Sequence, residues 1–172
     1  MFKHSLKAMV VAATLVVAGT AQAATVNYAV GSGWSRFGFG AVGTAAKSQY
    51  NLTLTQWTAI TIVDTFWAGD QFEVFANGNS LGATSIPGTG GTRTGFNFDV
   101  PAADGIHSVG RFILGPGSYL ISLDVLARSG TDTAVHLGGF RADIAQVPLP
   151  AAGALLLGAL GALAFRRRRR PV

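Results

Sequence analysis

The sequence predicts an all-β domain, an antiparallel β-sandwich of the jelly-roll kind, flanked by an N-terminal signal peptide and a single C-terminal transmembrane helix. Three observations predict the domain. Apolar and polar residues alternate with period two through the middle of the chain, turn residues recur at regular spacing, and no helix-period segment of useful length lies between Thr25 and Gln146. Seven to nine short strands are expected.

In order, Tyr50-Asn-Leu-Thr-Leu-Thr places Tyr50, Leu52 and Leu54 on one face. Ile60 and Ile62 continue toward Phe66, with Thr61 and Asp64 assigned outward. Phe72-Glu-Val-Phe runs into Asn77-Gly78, a strong hairpin signal, and its partner strand is expected over Ser80 to Ile86, closed by Pro87-Gly88. Phe96 to Val100 reads as a strand ended by Pro101. His107 to Leu114 and Ser118 to Arg128 are separated by Gly115-Pro116-Gly117, and Tyr119, Ile121, Leu123 and Val125 share a face of the second. Ala134 to Ile144 is the last strand, with a bulge expected at Gly138-Gly139. Residues 31 to 48 are Gly-rich; Trp34, Phe37 and Phe39 are expected to plug the sandwich from a crossing or edge segment.

The ends of the chain read differently. Lys3, His4 and Lys7 precede an apolar run from Ala8 to Ala18, and Ala21-Gln22-Ala23 forms a small-x-small cleavage site before Ala24. That run is shorter than the roughly 20 residues a permanent span needs. The domains are therefore 1–23 signal peptide, 24–146 sandwich and 147–172 tail. In the tail, Pro148 and Pro150 keep Val147 to Pro150 extended. Ala151 to Phe165 holds only Ala, Gly, Leu and Phe, apolar on every face, which suits lipid better than a protein core. These fifteen residues make about 22 Å of helix, short of a hydrocarbon layer of about 30 Å, a gap that snorkelling arginines and local thinning close. Arg166, Arg167, Arg168, Arg169 and Arg170 then anchor the cytoplasmic side, leaving 24–146 outside the cytoplasm.

Charge follows the same division. Of thirteen Lys and Arg, seven lie in the two end segments, so the formal +5 belongs to the termini and the sandwich itself carries six bases against eight acids. Basic ends address membranes and export machinery, and no nucleic-acid partner is expected. The absence of cysteine excludes disulfides, a thiolate nucleophile and Cys-ligated zinc.

Val147-Pro148-Leu149-Pro150-Ala151, followed by a Leu/Ala/Gly helix and a terminal Arg run, resembles the VPLPA form of the PEP-CTERM sorting domain. The resemblance covers about 25 residues, with Leu149 where the name-giving form has Glu. It implies recognition by a membrane-embedded exosortase, cleavage between motif and helix, and delivery to the surface or matrix of a Gram-negative bacterium that makes exopolysaccharide. The stretch Asp64 to Ser85 also resembles a β-sandwich unit of other sorting-tail proteins, with Phe112 to Leu123 as a further matching pair; this implies fold and no activity.

The expected function is thus that of an exported, membrane-tethered and then exosortase-processed surface protein, non-catalytic and exopolysaccharide-associated, whose partners are signal peptidase, the export machinery, membrane and exosortase. The alternative is a carbohydrate-binding module, with Trp57 and Trp67 able to stack on sugar rings, although such tryptophans are more often core or core-edge. That module could depend on calcium, for which Asp64, Asp70 and Asp104 lie near loops, but no Asp-x-Asp-x-Asp run supports a metal and none is assigned. No cofactor is expected. A secreted hydrolase ranks last: His107 and His136 are available as bases, but no nucleophile-elbow pattern accompanies them.

Overall fold

The structure, a computed structural model, describes residues 23–89, 92–130 and 136–146. The signal segment through Gln22, the motif Val147 to Ala151, the predicted helix and the Arg cluster lie outside the described residues. Among the described residues no helix is long and apolar enough to cross a membrane.

These residues form nine strands: β1 (Ala24–Asn27), β2 (Ser35–Phe39), β3 (Ser48–Leu54), β4 (Thr58–Asp64), β5 (Gln71–Ala76), β6 (Asn79–Ala83), β7 (Val109–Leu114), β8 (Gly117–Ala127) and β9 (His136–Ile144). They make two sheets, ordered β1-β3-β8-β5-β6 and β2-β9-β4-β7. The sandwich is therefore as expected, with one difference: β1 pairs parallel to β3, Ala24 opposite Ser48, so the first sheet is mixed. A four-residue Ala-Thr-Val-Asn strand on a sheet edge carries too little alternation to announce itself.

The inward faces meet in an aromatic core. Tyr50 of β3 stacks on Phe140 of β9 with centroids 3.9 Å apart, joining the two sheets. Phe39 and Phe37 of β2 meet Phe72 of β5 edge-to-face at 4.8 and 5.3 Å. The Gly-rich segment thus delivers Phe37 and Phe39 to the core as part of a regular edge strand. The Asn77-Gly78 turn has φ of 50° and 79°, the paired positive values a two-residue I′ hairpin needs, and the Asn77 side chain also accepts the Leu120 N–H at 2.8 Å.

Three sequence expectations are corrected. Asp64 does not face outward: it shares parity with Ile60 and Ile62 and is fully buried at the end of β4. Phe96 to Val100 is not a strand. Asn97 takes the Asp99 N–H on its side-chain oxygen at 3.2 Å, and turns follow through Ala103, so the chain folds back over the outer face of β4 and β9. This covering explains why all of β4 is buried despite its Thr and Ala positions. Gly138-Gly139 forms no bulge, since β9 keeps register with β2 and β4 throughout. The glycines instead admit neighbours: a Cβ on Gly138 would stand 2.3 Å from the Phe37 ring, and one on Gly139 within 3.2 Å of Val63, Trp34 and Phe98.

Candidate functional site

Strand pairing sets two opposite ends. Thr58 opposes Ile144 at the end from which the tail departs, and Asp64 opposes Gly138 at the other. Trp57 stands just before β4 and Trp67 just after it, so about seven residues, roughly 23 Å, separate them and they cannot line one sugar site. Both are half-exposed, at 54% and 50%, rather than in the core as most such tryptophans are.

At the end remote from the tail the rings gather. The loop after β4 carries Phe66 and Trp67, and the segment after residue 91 folds beside it, with Ala68 N–H donating to Thr92 O at 3.0 Å and Thr94 N–H to Phe66 O at 2.7 Å. These bonds bring Phe96 edge-on to Phe66 at 4.9 Å. Phe96 is 64% exposed. The Arg93 guanidinium lies 5.8 Å from the Trp67 ring, and Arg36 of β2 lies 5.6 Å from Phe96. On the adjacent face, Arg141 sits 4.4 Å from the Trp34 ring and 2.8 Å from both Asp99 and Asp143.

Phe66 has φ of 65°, a conformation bulky side chains rarely adopt, so the surrounding structure must hold it. Several groups do. Thr94 Oγ1 accepts the Phe66 N–H at 3.2 Å, and His107 Nε2 faces the Phe66 carbonyl at 3.3 Å. His107 is itself fixed by Asp104, whose Oδ2 lies 2.5 Å from Nδ1 and whose Oδ1 accepts the Ile106 and His107 N–H groups. Burial pushes the Asp104 carboxyl upward, but those two backbone donors and the His107 ring outweigh it and hold it below the usual carboxylate range. Deeper in the loop, Asp64 Oδ2 accepts the Gly69 and Asp70 N–H groups at 3.1 Å each. Asp70 in turn accepts the Ser129 N–H at 2.6 Å and faces His136 Nδ1 at 3.2 Å. Burial first, then the Asp70 charge, raises the Asp64 carboxyl to about 8. The aromatic loop is pinned from beneath by three carboxyl groups, those of Asp64, Asp70 and Asp104, and two imidazoles.

Both histidines therefore have carboxylate neighbours, the pairing a hydrolase would also need. Among the described residues no hydroxyl bonds the His107 ring. The outer nitrogen of His107 faces a carbonyl, and Ser108 Oγ, buried, is taken by Thr84 Oγ1 and the Ser85 carbonyl. The calcium reading gains nothing at these residues: N–H and O–H donors occupy most of the carboxylate lone pairs a cation would need, and no cluster of three His, Cys, Asp or Glu suited to a metal occurs among the described residues. Glu73, the sole glutamate, lies in β5 and accepts from Ser80.

At the tail end, a groove of about 630 Å³ is lined by amides and hydroxyls, among them Asn27, Asn51, Thr53 and Gln56, with Tyr28 at its base and no charged side chain. Trp57 is not among its lining residues.

Of the residues singled out in the sequence, the structure brings Trp67, His107, Asp104, Asp64, Asp70 and His136 to one end, and sets Trp57 apart. Sequence reasoning missed Phe66, Phe96, Arg36 and Arg93 as neighbours. A Phe placed directly before Trp in a Gly-Asp-containing loop was the available signal.

No protein-family model matches the chain, and no curated protein matches it. Among solved structures it is similar to the pre-peptidase C-terminal domain of a collagenase from Bacillus anthracis, at 10% identity, over 70% of this chain and 94% of that one, with a TM-score of 0.35.

Proposed function

We propose that this chain is exported, processed at its tail by an exosortase, and retained at the cell surface or in the extracellular matrix, where the sandwich acts without catalysis by binding glycan. The observation that carries the binding half is the Phe66–Phe96 ring pair, with the half-exposed Trp67 next to Phe66 in the same loop, at the end remote from the tail. Exposed aromatic rings offer flat apolar surfaces to the C–H faces of sugars, and holding Phe66 at positive φ through His107 and Thr94 fixes them before a ligand arrives. The export half rests on the sequence of the two ends.

Tryptophan fluorescence titrated with host exopolysaccharide tests the binding half. The signal should shift and saturate in the wild type and stay flat in Trp67→Ala; a flat wild-type response overturns it. The mass of the mature protein tests the other half. Loss of residues 1–23 and of the segment beyond the Val147–Ala151 motif is expected, and an intact tail in cells that possess the exosortase counts against processing.

A further inference from the structure

We infer that the ligand of the aromatic end is an anionic glycan, one bearing carboxylate, sulfate or phosphate groups, selected by Arg36 and Arg93. The inference rests on the glycan-binding reading of the same face and narrows it to a chemical class.

The argument is one of charge left over. Arg141, on the adjacent face, is already neutralised by Asp99 and Asp143, each at 2.8 Å. Arg36 and Arg93 are exposed and meet no carboxylate among the described residues; their recorded contacts are with the rings of Phe96 and Trp67. The sandwich carries more acids than bases, so ion-pair partners for both were available in composition. The fold spends its nearby carboxylates elsewhere: Asp64 and Asp70 are turned inward onto N–H donors, and Asp104 onto His107. What remains exposed here among the described residues is two guanidinium groups, each against a ring.

That pairing has a specific use. A guanidinium offers parallel N–H donors that match a carboxylate or sulfate in a bidentate geometry, and a ring beside it receives the apolar face of the same sugar unit. A neutral polysaccharide would need only the rings and a set of amides and hydroxyls. Such a neutral set exists in this protein, in the groove of Asn27, Asn51, Thr53 and Gln56, but at the opposite end. Two guanidiniums against rings at one end and an uncharged groove at the other point to anionic recognition at the first.

The test titrates the full mature chain with oligogalacturonate and, separately, with a neutral gluco-oligosaccharide of equal length, reading Trp67 through the Trp67→Phe difference. Binding of the anionic ligand should be stronger, should weaken as salt rises, and should fall about tenfold in each of Arg36→Gln and Arg93→Gln, as expected for loss of a charge-assisted bidentate contact. Unchanged melting temperatures establish that the variants fold; both positions are exposed. Equal binding of the two ligands, with no salt dependence and no effect of the Arg variants, overturns the anionic inference while leaving glycan binding intact. Binding of neither ligand overturns both.

Discussion

Replacing Asp64 by Asn should flatten the pH dependence of stability, and the structure gives the reason and the sign. Asp64 is fully buried, receives the Gly69 and Asp70 N–H groups on Oδ2, and leaves Oδ1 buried with no hydrogen-bond partner. Desolvation, then the Asp70 charge, raises it from 3.8 to about 8, so the folded protein keeps a proton there that the unfolded chain releases above 3.8. The stabilisation from this group is complete below 3.8, declines as pH rises through the interval, and is gone above about 8. Its slope within the interval is at most about 1.4 kcal/mol per pH unit. Asn keeps an amide oxygen for the two backbone donors and stays uncharged across the pH range. Urea unfolding followed by tryptophan fluorescence between about pH 5 and pH 9 reads the difference between the two proteins. The variant should lose less stability than wild type across that range and be the more stable of the two at its upper end. Parallel curves would refute the claim that Asp64 holds a proton in the fold.

Gly138→Ala should lower the unfolding free energy, read from urea titration, by about 1–3 kcal/mol, because its Cβ would fall on the buried Phe37 ring and β9 has no slack between β2 and β4. Asp104→Ala should cost about 1–3 kcal/mol by leaving the Ile106, His107 and ring N–H groups without their acceptor. Its secondary effect, read as a shift in Trp67 emission, should come from the loosened Phe66 loop. The wild-type contribution of Asp104 is present above the ordinary carboxylate range and lost as pH falls through its depressed value, so acid should narrow the gap between wild type and Asp104→Ala. Phe96→Ala should change stability by no more than about 0.5 kcal/mol, since the ring is mostly exposed, while glycan affinity in the fluorescence titration falls several-fold.

What was legible in the sequence followed the strength of local pattern. β3, β5 and β8 alternate cleanly because one face of each is solvated, and the Asn-Gly turn needs only two residues to be recognised. Legibility failed where a segment serves two surfaces. β4 is buried on both faces, so its period is hidden and Asp64 was assigned to the wrong side. Phe96-Asn-Phe-Asp-Val alternates like a strand, yet Asn97 supplies an acceptor that turns the chain, and Phe98 packs on the outside of a sheet while Phe96 stays in water. The site suffered most. Its rings and guanidiniums come from β2, the loop after β4 and the segment after residue 91, and only the tertiary contacts between those pieces make them neighbours.

The arrangement of the two chain ends bears on the proposed route to the surface. Ala24, the residue after the expected cleavage site, opens β1 opposite Ser48, at the end of the sandwich that also carries the rings. Ile144 closes β9 at the other end, two residues before Gln146 and the tail. On the proposed route, a chain held at both its signal peptide and its tail would be tethered from opposite ends of the sandwich. The proposed cleavage before Ala24 would leave only the tether at the tail end, the end that carries Trp57 and Ile144. On the proposed route, signal cleavage would thus release the end of the sandwich that carries Phe66, Trp67 and Phe96.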